Sequence, residues 1–169
     1  MAATMNVNTQ TVVHKTSEGV TTASPDVCKT KVGKPIVPIP YANSAFSTST
    51  SKGSKTVFVD SNSIMLKGSQ FSTSTGDEAG SYGGVASGCT KGKAEFVNYS
   101  FNVFVESKNV PRRMDLMLQN KGSAFNTPPA PLIQPGFTIE PFVEEAPSIC
   151  YQCLLNALQA GTPFAALSN

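Results

Sequence analysis

Charge is scarce in this sequence: 14% of the 169 residues are Asp, Glu, Lys or Arg, against about 25% in an ordinary soluble domain. The net charge is +2 and the basic residues are scattered, so the phosphate-neutralising footprint of a nucleic-acid binder is missing and no nucleic-acid partner is expected. No stretch approaches the roughly 18 apolar residues of a membrane span, and Met1–Gln10 is too polar for a secretory signal. No stable membrane anchor is expected. Histidine is nearly absent too. His14 is the one base of suitable pKa for a cysteine hydrolase, and no cysteine signature surrounds it. Asp77 and Glu78 are neighbours on a Gly-rich loop, where adjacent carboxylates diverge instead of flanking a glycosidic bond. Gly76–Gly88 lacks the Gly-Lys-Ser/Thr ending of a phosphate cradle. These absences predict a protein that is not an enzyme.

Uncharged polarity fills the gap, with 19 serines and 16 threonines. Thr and Val suit pleated surfaces while Ser, Gly and Asn suit turns, so the composition predicts a mainly β chain of short strands, hairpins and long loops. Residues 1–32 fit one or two short strands. Pro35, Pro38 and Pro40 fix φ and remove three donors, which excludes a helix or a central strand and predicts a stiff, extended connector. Ser44–Lys55 reads as a Ser/Thr-rich loop. Thr56–Leu66 reads as a hairpin around Asp60-Ser61-Asn62, apolar on both faces. Gly76–Gly88 reads as a shaped loop whose glycines permit close backbone approach. Phe96–Val105 alternates with period two, as a half-buried strand does. Val103–Val110 repeats Val57–Ile64 at an offset of 46 residues with four of eight positions identical, which suggests sheets around a pseudo-symmetry axis.

The composition changes after Asn126. Residues 1–127 are read as the β-rich domain, 128–147 as a Pro-rich linker, and 148–169 as a C-terminal helix and tail. The helix would start at Ser148, stop at Gly161, and carry Ile149, Cys150, Cys153, Leu154, Ala157 and Leu158 on one stripe.

Seven segments in order, Pro25-Asp-Val-Cys28, Pro38-Ile-Pro-Tyr-Ala-Asn43, Gly53-Ser-Lys-Thr-Val57, Met65-Leu-Lys67, Gly76-Asp-Glu-Ala-Gly80, Lys91-Gly-Lys93 and Asn126-Thr-Pro-Pro129, resemble the PAAR-like tip proteins of type VI secretion. The resemblance spans about residues 6–129. It implies a compact β cone whose base sits on a trimeric valine-glycine-repeat spike protein of a contractile injection apparatus and whose apex leads the puncture. It also implies synthesis in the bacterial cytoplasm before injection, and effector delivery. Too few residues follow the domain for a toxin domain of ordinary size, so the chain is read as a cargo-free or adaptor-type tip whose tail, residues 130–169, either docks back on its own domain or recruits an effector or a loading chaperone.

Relatives of this kind carry zinc near the apex. His14 and Cys28 match the first two ligands that the resemblance implies. The stretch that would supply histidines is Arg112-Arg-Met-Asp-Leu-Met-Leu-Gln-Asn-Lys121, which has none. Cys150 and Cys153 have the C-x-x-C spacing that grips a tetrahedral ion, so His14, Cys28, Cys150 and Cys153 form the expected metal set, holding one structural zinc. The competing reading makes the two tail cysteines small buried hydrophobes. Cys89 is read as an incidental thiol.

Overall fold

The computed structural model describes residues 3–136, all within a compact unit that runs from Met1 to Phe137. A second unit, Thr138–Asn169, lies outside the described residues, and with it the expected helix at 148–169. The described chain is mainly β, as its composition predicts. In order the strands are β1 (Asn6–Val7), β2 (Gln10–Thr11), β3 (Val20–Lys31), β4 (Ile36–Phe46), β5 (Thr50–Ser51), β6 (Phe58–Val59) and β7 (Asn62–Ser63). There follow β8 (Gln70–Phe71), β9 (Lys93–Phe96), β10 (Phe104–Val105), β11 (Lys108–Asn109), β12 (Leu116–Lys121) and β13 (Ala130–Pro131).

Three parts build the unit. An antiparallel sheet of order β13-β12-β9-β8-β5 covers a core of Val13, Ala45, Met65, Phe71, Ala94, Phe96, Met117 and Leu132, in which Phe71 and Phe96 meet edge to face at 6.3 Å. A two-stranded ribbon pairs β3 with β4. Three hairpins, β1-β2, β6-β7 and β10-β11, enclose a second core of Ala3, Val7, Val12, Val59, Ile64, Leu66 and Val110, with Val57, Val103 and Val105 packed against it.

The proline segment is more than a connector. It pairs along its length, Pro38 opposite Lys29 and Pro40 opposite Val27. Proline has no N–H to donate, so both ring nitrogens must face away from β3, and the ribbon tolerates them because β4 is an edge. Residues 1–32 hold a full hairpin and the long strand β3. The Ser/Thr stretch is partly regular, since β4 runs to Phe46, a 3₁₀ turn spans Ser47–Ser49, and β5 follows.

The period-two segment is the clearest departure from expectation. Strand β9 stops at Phe96, and Val97 and Phe101 stand 44% and 78% exposed. Side chains here take over what a ladder would supply: the Leu116 amide donates to Asn98 Oδ1, Asn98 Nδ2 donates to Asp115, and Tyr99 Oη donates to the Phe96 carbonyl. Asn and Ser bonding to nearby backbone compete with pairing in this way. Residues 130–135, expected in a linker, belong to the unit. Leu132 is fully buried, Leu132 N donates to Asp115 O, and Ile133 exchanges both backbone bonds with Val20.

Candidate functional site

The expected repeat is present, and it has a third copy. Register is the same in all three hairpins: Val7 opposite Gln10, Val59 opposite Asn62, Val105 opposite Lys108. Their turns, Asn8-Thr9, Asp60-Ser61 and Glu106-Ser107, have φ of 51° and 66°, 50° and 62°, 50° and 60°. Two successive left-handed residues are what a two-residue hairpin needs to match strand twist.

The hairpins close into a ring. Met65 N donates to Val13 O, Lys67 N to Asn109 O, and Arg113 N to Thr11 O, at 2.8, 2.8 and 2.9 Å. The first residue of each turn is also latched by the strand entering another hairpin. Thr4 donates to Asp60 through its amide and hydroxyl. Lys55 and Thr56 donate three bonds to Glu106 Oε1. Asn8 Nδ2 donates to Asn102 at 2.9 Å. Residues 4, 56 and 102 therefore occupy one equivalent position and residues 8, 60 and 106 another, around a pseudo-threefold axis. Phe58 and Phe104 share a third equivalent position with Asn6, all on exposed strand faces. The first copy escapes a sequence scan because it shares little beyond Val7 and a turn of the same class.

A second feature lies where β3 meets the Gly-rich loop. The β3–β4 register shifts between Ala23 and Asp26, and the extra residue changes the buried phase from Thr21 and Ala23 to Asp26, Cys28 and Thr30. Motif residues then converge. Asp26 accepts from Asn43 (2.7 Å), Asn120 (3.2 Å) and Asn126. Asp77 accepts from the Lys91 amide and from Asn120 at 2.6 Å. Cys28 Sγ lies 3.6 Å from Asp26 and 3.9 Å from Asp77. Gly80 backs directly on Cys28, where any Cβ would collide with the cysteine's own. Burial, then the two carboxylates, pushes the Cys28 thiol up to about 12. Burial also raises the Asp77 carboxyl, against the pull of the Lys91 amide.

Asp26, Cys28 and Asp77 place one ligand atom each within 4.8 Å of one another. Two carboxylates and a thiol are donors that a divalent cation such as zinc accepts. The same lone pairs face amide protons here, because Asn120 Nδ2 stands among all three groups, 3.8 Å from Cys28 Sγ. A cation would have to displace that amide. Asn120 itself carries no sequence motif. Its signals are a left-handed φ of 50° and complete burial within β12.

The expected metal set is distributed differently. Cys28 sits in the carboxylate cluster. His14 is buried in the ring, bridged to Ile64, its Nδ1 3.2 Å from the Thr16 hydroxyl. Its Nε2 is 3.2 Å from Asp60 Oδ2, close enough for an ion pair when protonated but without hydrogen-bond alignment. Burial lowers His14 and Asp60 opposes the shift. Cys150 and Cys153 lie outside the described residues. Asp77 and Glu78 diverge, Asp77 inward and Glu78 to its own Gly76 amide and to Lys91 Nζ at 3.8 Å. Arg112, at the start of the stretch without histidine, is paired with Asp115 and donates to Asn8. Cys89 is half-buried and donates to Asn120 Oδ1.

Residues 19–127 match the family model described as "Toxin PAAR-like domain". The chain belongs to that family. The PAAR-like match spans every residue of the carboxylate cluster and two of the three hairpins, the first lying just before it. The chain is also 39% identical over 142 residues to the DNase toxin Tse7 of Pseudomonas aeruginosa, covering 79% of this chain and 37% of that protein. It thus spans well under half the length of the relative. No solved structure matches.

Proposed function

We propose that this PAAR-like chain is a structural tip that caps the trimeric spike of a type VI secretion apparatus and carries or recruits an effector. The observation that carries the reading is the latched ring of three hairpins: a single chain with quasi-threefold symmetry offers three equivalent contacts to a threefold partner. A closed ring around one apolar core, beside a sheet that covers another, also suits a part that must resist force. No helix among the described residues is long and apolar enough to cross a membrane. On this reading the protein is made in the bacterial cytoplasm and leaves it at the apparatus tip. Mixing the full chain with the trimeric valine-glycine-repeat spike and measuring mass by light scattering should give one chain per trimer. Absence of a complex would overturn the tip.

The name of the Tse7 relative, a DNase toxin, favours a second reading, in which the chain is itself a small toxin that cuts DNA. Incubation of the purified chain with plasmid DNA and divalent metal separates the two. The tip reading expects intact DNA, and residues 137–169 then supply the effector or chaperone contact. For zinc, the proposed His14, Cys28, Cys150 and Cys153 set and the Asp26, Cys28 and Asp77 triad both need Cys28. Elemental analysis decides between them: Cys150→Ser with Cys153→Ser empties the first set alone, and Asp77→Asn empties the second alone. A wild-type protein free of zinc rejects both.

A further inference from the structure

The ring's equivalent positions differ in chemistry in one respect that bears on how it docks. Position 6/58/104 is the outward neighbour of the buried Val7 and Val59 and the half-buried Val105, and identical registers and turn angles aim it alike in the three hairpins. Phe58 and Phe104 are each 58% exposed, and neither ring has a stacking partner among the described residues. A protein gains nothing in stability from holding two phenylalanines in water at symmetry-related points. Large aromatics standing proud of a rigid strand are the side chains that dominate binding at interface centres. The third position is filled by the polar Asn6.

We propose that the outward faces of the three hairpins form the contact surface for the trimeric partner, with Phe58 and Phe104 as its two apolar anchors and Asn6 as a silent third. The occupant is a threefold trimer presenting three identical apolar sockets, argued from the ring's own symmetry, and the inference rests on the tip reading. Two sockets are filled and one meets an amide. The trimer therefore accepts the tip in three equivalent orientations, each leaving a different protomer with the weaker contact.

Biolayer interferometry on the full-length chain against the spike trimer tests this, with thermal melting as the folding control. Phe58→Ser and Phe104→Ser should each weaken binding roughly tenfold or more and the pair should abolish it, at an unchanged melting temperature, because both side chains already face solvent. Asn6→Phe should tighten binding by filling the third socket. Val32→Ser with Ile36→Ser, which removes exposed apolar groups at the ribbon tip, should change nothing. Wild-type affinity in the Phe58/Phe104 double variant, or an Asn6→Phe chain that binds no tighter, overturns the anchors while leaving the tip reading in place. A wild-type chain that does not bind the trimer overturns both.

Discussion

Among single residues, the asparagines of the buried cluster carry the most structural weight for their size. Asn120 and Asn126 each use one side-chain nitrogen to serve several acceptors, and Asn126 also accepts from the Ala86 amide. Replacing either by Ala leaves a buried carboxylate short of a donor. We expect a loss of about 1–3 kcal/mol for each in urea unfolding, with Asn120→Ala the larger because it serves both carboxylates. Asp77 gives a pH signature. Its folded-state pKa is raised, so its protonated form is favoured by folding: the contribution is fully present below the unfolded value near 3.9 and is lost as pH rises through the folded one. Stability of the wild type measured against Asp77→Asn should therefore fall across that window, and a difference that stays flat with pH would contradict it. Cys28, with its thiol pushed up to about 12, should resist iodoacetamide at pH 8 while half-buried Cys89 reacts, as mapped by mass spectrometry.

At the scale of elements, sequence patterns were readable where they were local and misleading where side chains replaced the backbone ladder. The Val57–Ile64 hairpin and its echo at Val103–Val110 follow from alternation and turn chemistry confined to a few residues. The strand expected at Phe96–Val105 has equally good alternation, but the side chains of Asn98 and Ser100 accept from the Leu116 and Val103 amides and donate to other side chains, which no periodicity reveals. Of the seven motif segments, order along the chain was visible, whereas the convergence of Asp26, Asn43, Asp77, Lys91 and Asn126 needed the ribbon's register shift. Turn residues offer a clean test. Ser107 holds φ of 60°, a conformation that costs an L-residue about 1–2 kcal/mol. Ser107→Gly relieves that and adds unfolded-state entropy, so a net gain of up to about 1 kcal/mol is expected in thermal unfolding. The prolines of β4 act in the opposite sense, by keeping partners off. With Pro38 and Pro40 replaced by Val, the outer edge regains two donors, and light scattering should show self-association that the wild type lacks.

For the molecule as a whole, the compact unit ends later than composition suggested. Prolines at 128, 129, 131 and 135 read as a linker, yet Leu132 plugs the main core and Gln134 donates from its buried amide to Thr11 and Val12. A chain cut after residue 127 should lose the roughly 1.5–3 kcal/mol of a buried leucine together with β13, and melt well below one cut after residue 136. Equal melting of the two would contradict the extended unit.

The latches also set a timetable. Thr4 meets Asp60 across 56 residues, Thr56 meets Glu106 across 50, and Asn8 meets Asn102 across 94. During synthesis the first hairpin can meet the second, but the ring cannot close until the third has left the ribosome, and contacts this distant in sequence slow folding. A nascent chain halted before residue 112 keeps that ring open, so its first ten residues should be digested faster than in the released chain, where the last hairpin joins the first through Asn102 and Arg113.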